Sequence, residues 1–148
     1  MPTLAGWLLE HWRPWTPEHT LETRTAKLRS QMNRDELPIA LVAFSGSQVM
    51  GIASLRVYDL EDREDLTPWL GGVYVAPDFR RQGVGAAVVG AVEEKARELG
   101  FEEIYLFTLD REDWYASLGW TMIEAVRWRG DPGVIMRKPL RSHHATLR

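Results

Sequence analysis

The 148-residue sequence contains no cysteine. A disulfide framework, a thiolate nucleophile and a cysteine zinc site are all excluded by that absence. The sequence also has no apolar run long enough to span a bilayer, and Met1 to Glu10 is not a basic-then-apolar leader. A soluble, cytoplasmic protein without a membrane partner is expected. Excess positive charge is missing too, and a formal charge of −3 argues against a nucleic-acid partner. The four histidines, His11, His19, His143 and His144, show no metal-ligand spacing with carboxylates, so no metal is expected. Repeats, low-complexity tracts and domain linkers are likewise absent.

The composition is 45% hydrophobic and 26% charged. A chain of this length can bury about two thirds of its unfolded surface as one domain. That domain is expected over residues 1–141, with 142–148 as a disordered tail. Its centre is a strand, turn and helix. Val73, Tyr74 and Val75 are β-formers, and Pro77 removes a ladder donor. Val84, Val88, Val92, Ala96 and Leu99 then recur at helical spacing until Gly100.

Around this centre the pattern predicts a short helix near Trp7 and Leu8, a loop holding Trp12 and Trp15, and a second helix over Glu18 to Asn33. A hairpin comes next, with strands over Ile39 to Phe44 and Val49 to Tyr58. Asp59 to Asp65 is a loop with five acids and one arginine, read either as a solvated connection or as a field that attracts a cationic amine. Beyond the central helix a strand is expected at Ile104 to Leu109, parallel to the Val73–Val75 strand, then a short helix at Asp110 to Leu118. Two last strands are expected, Trp120 to Trp128 and Val134 to Lys138, with a turn over Arg129 to Gly133. The class is α+β.

The turn Arg80-Arg81-Gln82-Gly83-Val84-Gly85 lies at a helix N-terminus, where unpartnered N–H groups and the dipole favour an anion, above all a phosphate. Glycine permits unusual φ and close approach, and the arginines add charge. It lacks the Gly-Lys-Ser/Thr ending of a P-loop, and the third glycine and later acid of a dinucleotide fingerprint.

It does resemble the Arg/Gln-x-x-Gly-x-Gly/Ala turn of the GNAT superfamily of acyl-CoA-dependent N-acyltransferases. Trp114-Tyr115-Ala116-Ser117-Leu118-Gly119-Trp120 is similar to the aromatic-Tyr-x-x-Leu-Gly-aromatic segment of the same superfamily. The order of elements resembles that fold over about residues 3 to 140. The resemblance implies a mixed central sheet with flanking helices and a splayed parallel strand pair. It implies acetyl-CoA as cosubstrate, its pantetheine paired with the backbone of Val73, Tyr74 and Val75, and its pyrophosphate wrapped by Arg80, Arg81, Gln82, Gly83, Val84, Gly85 and Ala86. Thr108 stands where many relatives have an asparagine that bonds the pantetheine, and Tyr115 where a hydroxyl protonates the departing sulfur.

A primary amine on a small molecule or a peptide is the expected acceptor. Peptide, polyamine and antibiotic amines stay open. The position that holds a glutamate base in some relatives is Trp69 here, which leaves ordered water, Glu124 or a carboxylate of the acidic loop to take the proton. The alternative to an enzyme is a noncatalytic acyl-CoA-binding module, which would need the phosphate turn but not the Tyr115 hydroxyl.

Overall fold

The computed structural model describes residues 36–140 except Ser47, Tyr58, Asp59, Glu61 and Asp62. The two helices and the loop expected before residue 36, the four histidines and the tail expected at 142–148 lie outside the described residues. Within them are six strands: β1 (Ile39–Ser45), β2 (Gln48–Arg56), β3 (Trp69–Val75), β4 (Glu103–Thr108), β5 (Thr121–Trp128) and β6 (Asp131–Pro139). Helix α1 (Val84–Glu98) joins β3 to β4, and α2 (Glu112–Ser117) joins β4 to β5. The sheet runs β1-β2-β3-β4-β6-β5, and every neighbouring pair is antiparallel except β3 with β4. This is the α+β architecture expected from the sequence.

Period-two alternation divides the core between the two faces of the sheet. Leu70, Ile104, Leu106 and Met136 join the larger cluster with the α1 residues Val84, Val88, Val89, Val92 and Ala96. Their chain neighbours Trp69, Tyr105 and Ile135 join Leu60 in a second cluster. Helix α1 ends as the sequence predicts. Gly100 adopts φ 93, its N–H donates to the Arg97 carbonyl at 3.0 Å, and Phe101 N–H donates to Ala96 at 3.1 Å. That paired closure is a Schellman motif, and Phe101 packs on the core beyond it.

Most strand ends differ from expectation by a single residue, and two larger differences have local causes. Strand β2 stops at Arg56 because its partner starts there, Arg56 standing opposite Trp69, the first residue of β3. The last strand begins at Asp131, since Arg129 (φ 50) and Gly130 (φ 87) suffice for the tight turn from β5. Two successive positive φ values match the twist of a hairpin. Pro132 is tolerated in β6 because β4 pairs only from Val134 onward. Gly133 is a strand residue, and a Cβ on it would stand 2.6 Å from Phe107 Cε1 and 2.9 Å from the Thr108 carbonyl oxygen. The backbone oxygen cannot rotate away. Gly133→Ala should therefore cost about 1–3 kcal/mol by overpacking, read as a lower urea midpoint; an unchanged midpoint would show that β4 and β6 separate freely.

Candidate active site

Strands β3 and β4 pair only at Trp69 with Tyr105 and Leu70 with Leu106. Beyond Leu70 the strands part, although β3 runs on to Val75 and β4 to Thr108. The register of β3 against β2 also shifts between Ile52 and Ser54, with Gly72 at φ 62. Such a bulge bends a strand and re-aims the residues beyond it. Val73, Tyr74 and Val75 thus line one arm of a fork, with main-chain groups that β4 does not occupy.

The chain leaves that arm through a fixed turn. Ala76 N–H donates to the Met50 carbonyl at 2.7 Å, and Pro77–Phe79 forms a single 3₁₀ turn. Arg81 then adopts φ 63 and Gly83 φ 81, and α1 starts at Val84. Gly83 caps the helix through its backbone alone: its carbonyl accepts from Ala87 N–H at 3.0 Å, and no side chain caps the N-terminus. The N–H groups of Val84, Gly85 and Ala86 therefore have no acceptor within the helix. A Cβ on Gly83 would meet nothing within 4 Å, so the turn opens outward at that point.

The side chains of the turn have distinct roles. Arg80 Nε donates to the Val75 carbonyl at 3.1 Å, and its guanidinium lies 5.6 Å from the Tyr74 ring centroid. It is drawn back over the end of β3. Gln82 Nε2 donates to the Asp78 carbonyl at 3.2 Å and braces the 3₁₀ turn. Arg81 is exposed at the strained position itself. Gly85 has a packing reason as well: its Cβ would stand 3.2 Å from Trp114 Cζ2 and 3.5 Å from Val75 Cγ2. The start of α1, the end of β3 and α2 converge there.

Tyr115 is next to Trp114 on α2 and is buried between two indoles, its ring centroid 4.9 Å from that of Trp114 and 6.1 Å from that of Trp120. Thr108, at the tip of the other arm, is also buried, and its hydroxyl accepts from Arg111 N–H at 3.0 Å. That bond steadies the entry to α2 and leaves the hydroxyl proton available to another acceptor. Trp69 is fully buried, with its indole N–H donated to Leu66 at 2.5 Å. Glu124 and Asp65 both meet Arg63: Glu124 Oε1 at 2.6 Å, and the two oxygens of Asp65 at 3.1 and 3.2 Å. The guanidinium holds the Asp65 carboxyl below its usual range. Sequence reasoning missed this tie from the acidic loop to β5. It also missed a carboxylate–ammonium pair between Glu93 and Lys138. Glu93 lies four residues after Val89 on the apolar stripe, which was the available signal.

A parted parallel strand pair thus lies beside an open glycine turn at an uncapped helix start. The acetyltransferase (GNAT) family profile matches residues 4–120, and the chain belongs to that family. The class is that of the acetyl-CoA-dependent N-acetyltransferases. The aminoglycoside N(6′)-acetyltransferase type 1 of Klebsiella aerogenes is 34% identical over 105 residues, covering 67% of this chain and 68% of that protein. An aminoglycoside 6′-N-acetyltransferase complexed with coenzyme A superposes with a TM-score of 0.72 at 17% identity, over 97% of this chain and 94% of its own. A ribosomal-protein-alanine N-acetyltransferase from Brucella melitensis gives 0.69 at 22% identity, over 95% and 96%. At these identities the two structures share the fold. Among the described residues no helix is long and apolar enough to cross a membrane, and no group of three or more His, Asp or Glu could hold a metal ion.

Proposed function

We propose that this enzyme acetylates a primary amine on a cationic small molecule by direct attack, with Tyr115 as the general acid. The observation that carries the reading is the closeness of Trp114 to Gly85, where an added Cβ would stand 3.2 Å from Trp114 Cζ2. It sets the helix bearing Tyr115 against the glycine turn at the mouth of the β3–β4 fork. The fit to the cosubstrate rests on three features: the outward opening at Gly83, the uncapped N–H groups of Val84, Gly85 and Ala86, and the arm Val73–Val75 beyond the paired residues. Arg81 adds charge for a pyrophosphate, and Arg80 orders the turn. Thr108 has one hydroxyl proton to offer a pantetheine amide.

Acetyl-CoA supplies the acetyl group as an activated thioester. Main-chain N–H groups around Tyr74 and Val75 polarise its carbonyl. As the C–N bond forms and the C–S bond breaks, the Tyr115 hydroxyl gives its proton to the departing sulfur. The amine must be neutral to attack, and its proton passes to ordered water. Trp69 has no basic atom, and Glu124 and Asp65 are engaged by Arg63.

The acceptor class is drawn from the acidic loop, with net charge −4 over Asp59 to Asp65, and agrees with the aminoglycoside enzyme among the relatives. Thiol release should be measured with an aminoglycoside bearing a free 6′-amine, a polyamine and an alanine-terminated peptide. Turnover of the polycations is expected; turnover confined to the peptide would overturn the acceptor assignment. Asp62→Asn with Asp65→Asn should raise KM for a charged amine mainly at low salt, because exposed charges are screened within about 8 Å in physiological buffer. An unchanged KM at low ionic strength would reduce the loop to a solvated connection.

A further inference from the structure

A charged pair sits where α1, β6 and the end of α2 meet. Glu93 is 9% exposed on the buried stripe of α1. Its Oε1 accepts from Lys138 Nζ at 2.8 Å and its Oε2 from Trp120 Nε1 at 3.3 Å. The same ammonium donates to the Leu118 carbonyl at 2.8 Å. Gly119, at φ 98, makes this reach possible, since a Cβ there would stand 3.3 Å from Lys138 Cε. Leu118 and Trp120 in turn donate their own N–H groups to the Tyr115 carbonyl, at 2.9 and 3.1 Å. The segment from Tyr115 to Trp120 is therefore gripped twice, by its backbone at Tyr115 and by side chains at Glu93 and Lys138.

We infer that the Glu93–Lys138 pair is a positioning device for Tyr115, fixing the end of its helix against α1. The inference rests on the reading of Tyr115 as the general acid. Helix α2 has six residues and no side-chain N-cap, too short to hold its own place in water. A largely buried ion pair gains little net stability over apolar residues of the same volume, while its directional bonds restrict geometry. Here those bonds end on the two residues whose N–H groups converge on Tyr115, and Trp120 also packs edge-on against its ring. Small displacements of a reacting group are costly, about 10²-fold in rate for roughly 1 Å.

The test is a double-mutant cycle read by the single-turnover rate of acetyl transfer, with melting followed in parallel. Lys138→Met keeps the aliphatic stem and removes both bonds. It should slow transfer about 10- to 100-fold with the dissociation constant for acetyl-CoA within about twofold. In the Tyr115→Phe background, where no proton remains to be placed, it should add little further loss. Equal slowing in both backgrounds, or a lower melting temperature with an unchanged rate, would overturn the positioning role. A wild-type rate for Tyr115→Phe alone would instead overturn the acid itself. Should Lys138→Met not fold, Glu93→Gln keeps the shape and a bond to Trp120, and its rate effect must likewise vanish in the Tyr115→Phe background.

Discussion

Replacing Tyr115 with phenylalanine is expected to slow acetyl transfer about 10²- to 10⁴-fold, the usual span for a positioned acid, and to leave acetyl-CoA affinity nearly unchanged. Phenylalanine keeps the ring that packs edge-on against Trp114 and Trp120. Only the hydroxyl is lost. A phenol that carries its proton can yield it to a thiolate as that leaves. If the hydroxyl served packing alone, its buried partner would be left unsatisfied and stability would fall while the rate per folded molecule held. Rate at saturating acetyl-CoA, with chemistry shown to limit turnover, separates the two. A variant with the wild-type rate would falsify the assignment.

The second large effect is expected at Gly83. In the wild type, acetyl-CoA at about 100 times its dissociation constant should stabilise the fold by about 2.7 kcal/mol. Gly83→Val should abolish that gain, because its Cβ and methyl groups would fill the opening in front of the helix N-terminus. Valine also strains the backbone at φ 81, by about 1–3 kcal/mol, which lowers the melting temperature without ligand. Gly83→Asn controls for this strain, as asparagine tolerates a left-handed backbone. The ligand-induced shift, not the starting melting temperature, is the diagnostic. Equal shifts in wild type and Gly83→Val would remove the phosphate assignment.

Local pattern made much of the fold legible. The valine stripe of α1, the alternation of Ile104, Tyr105, Leu106 and Phe107, and the closure at Gly100 are each written within one turn or one strand. The turn at Gly83 was legible for the same reason, since its φ values and its uncapped N–H groups belong to adjacent residues. The features that stayed hidden depend on partners far along the chain. Gly133 looked like a turn residue because the crowding that demands glycine comes from Phe107 and Thr108. Gly85 looked like a ligand contact alone, and Trp114 supplies its second reason. Arg63 reaches Glu124 across 61 positions and Lys138 reaches Glu93 across 45, separations at which no periodicity survives.

The parting of β3 from β4 has a mechanical consequence. The sheet is two three-stranded leaves, β1-β2-β3 and β4-β6-β5, joined side by side through only two registered pairs. Helix α1 lies mainly on the first leaf and reaches the second through Ile104, Leu106, Met136 and the Glu93–Lys138 pair, while α2 packs against β5. A ligand lying in the fork and bonding both to main-chain groups of the first leaf and to Thr108 on the second would act as a cross-brace, replacing rungs that the polypeptide leaves out. On that placement, cosubstrate binding would also stiffen the sheet as a whole.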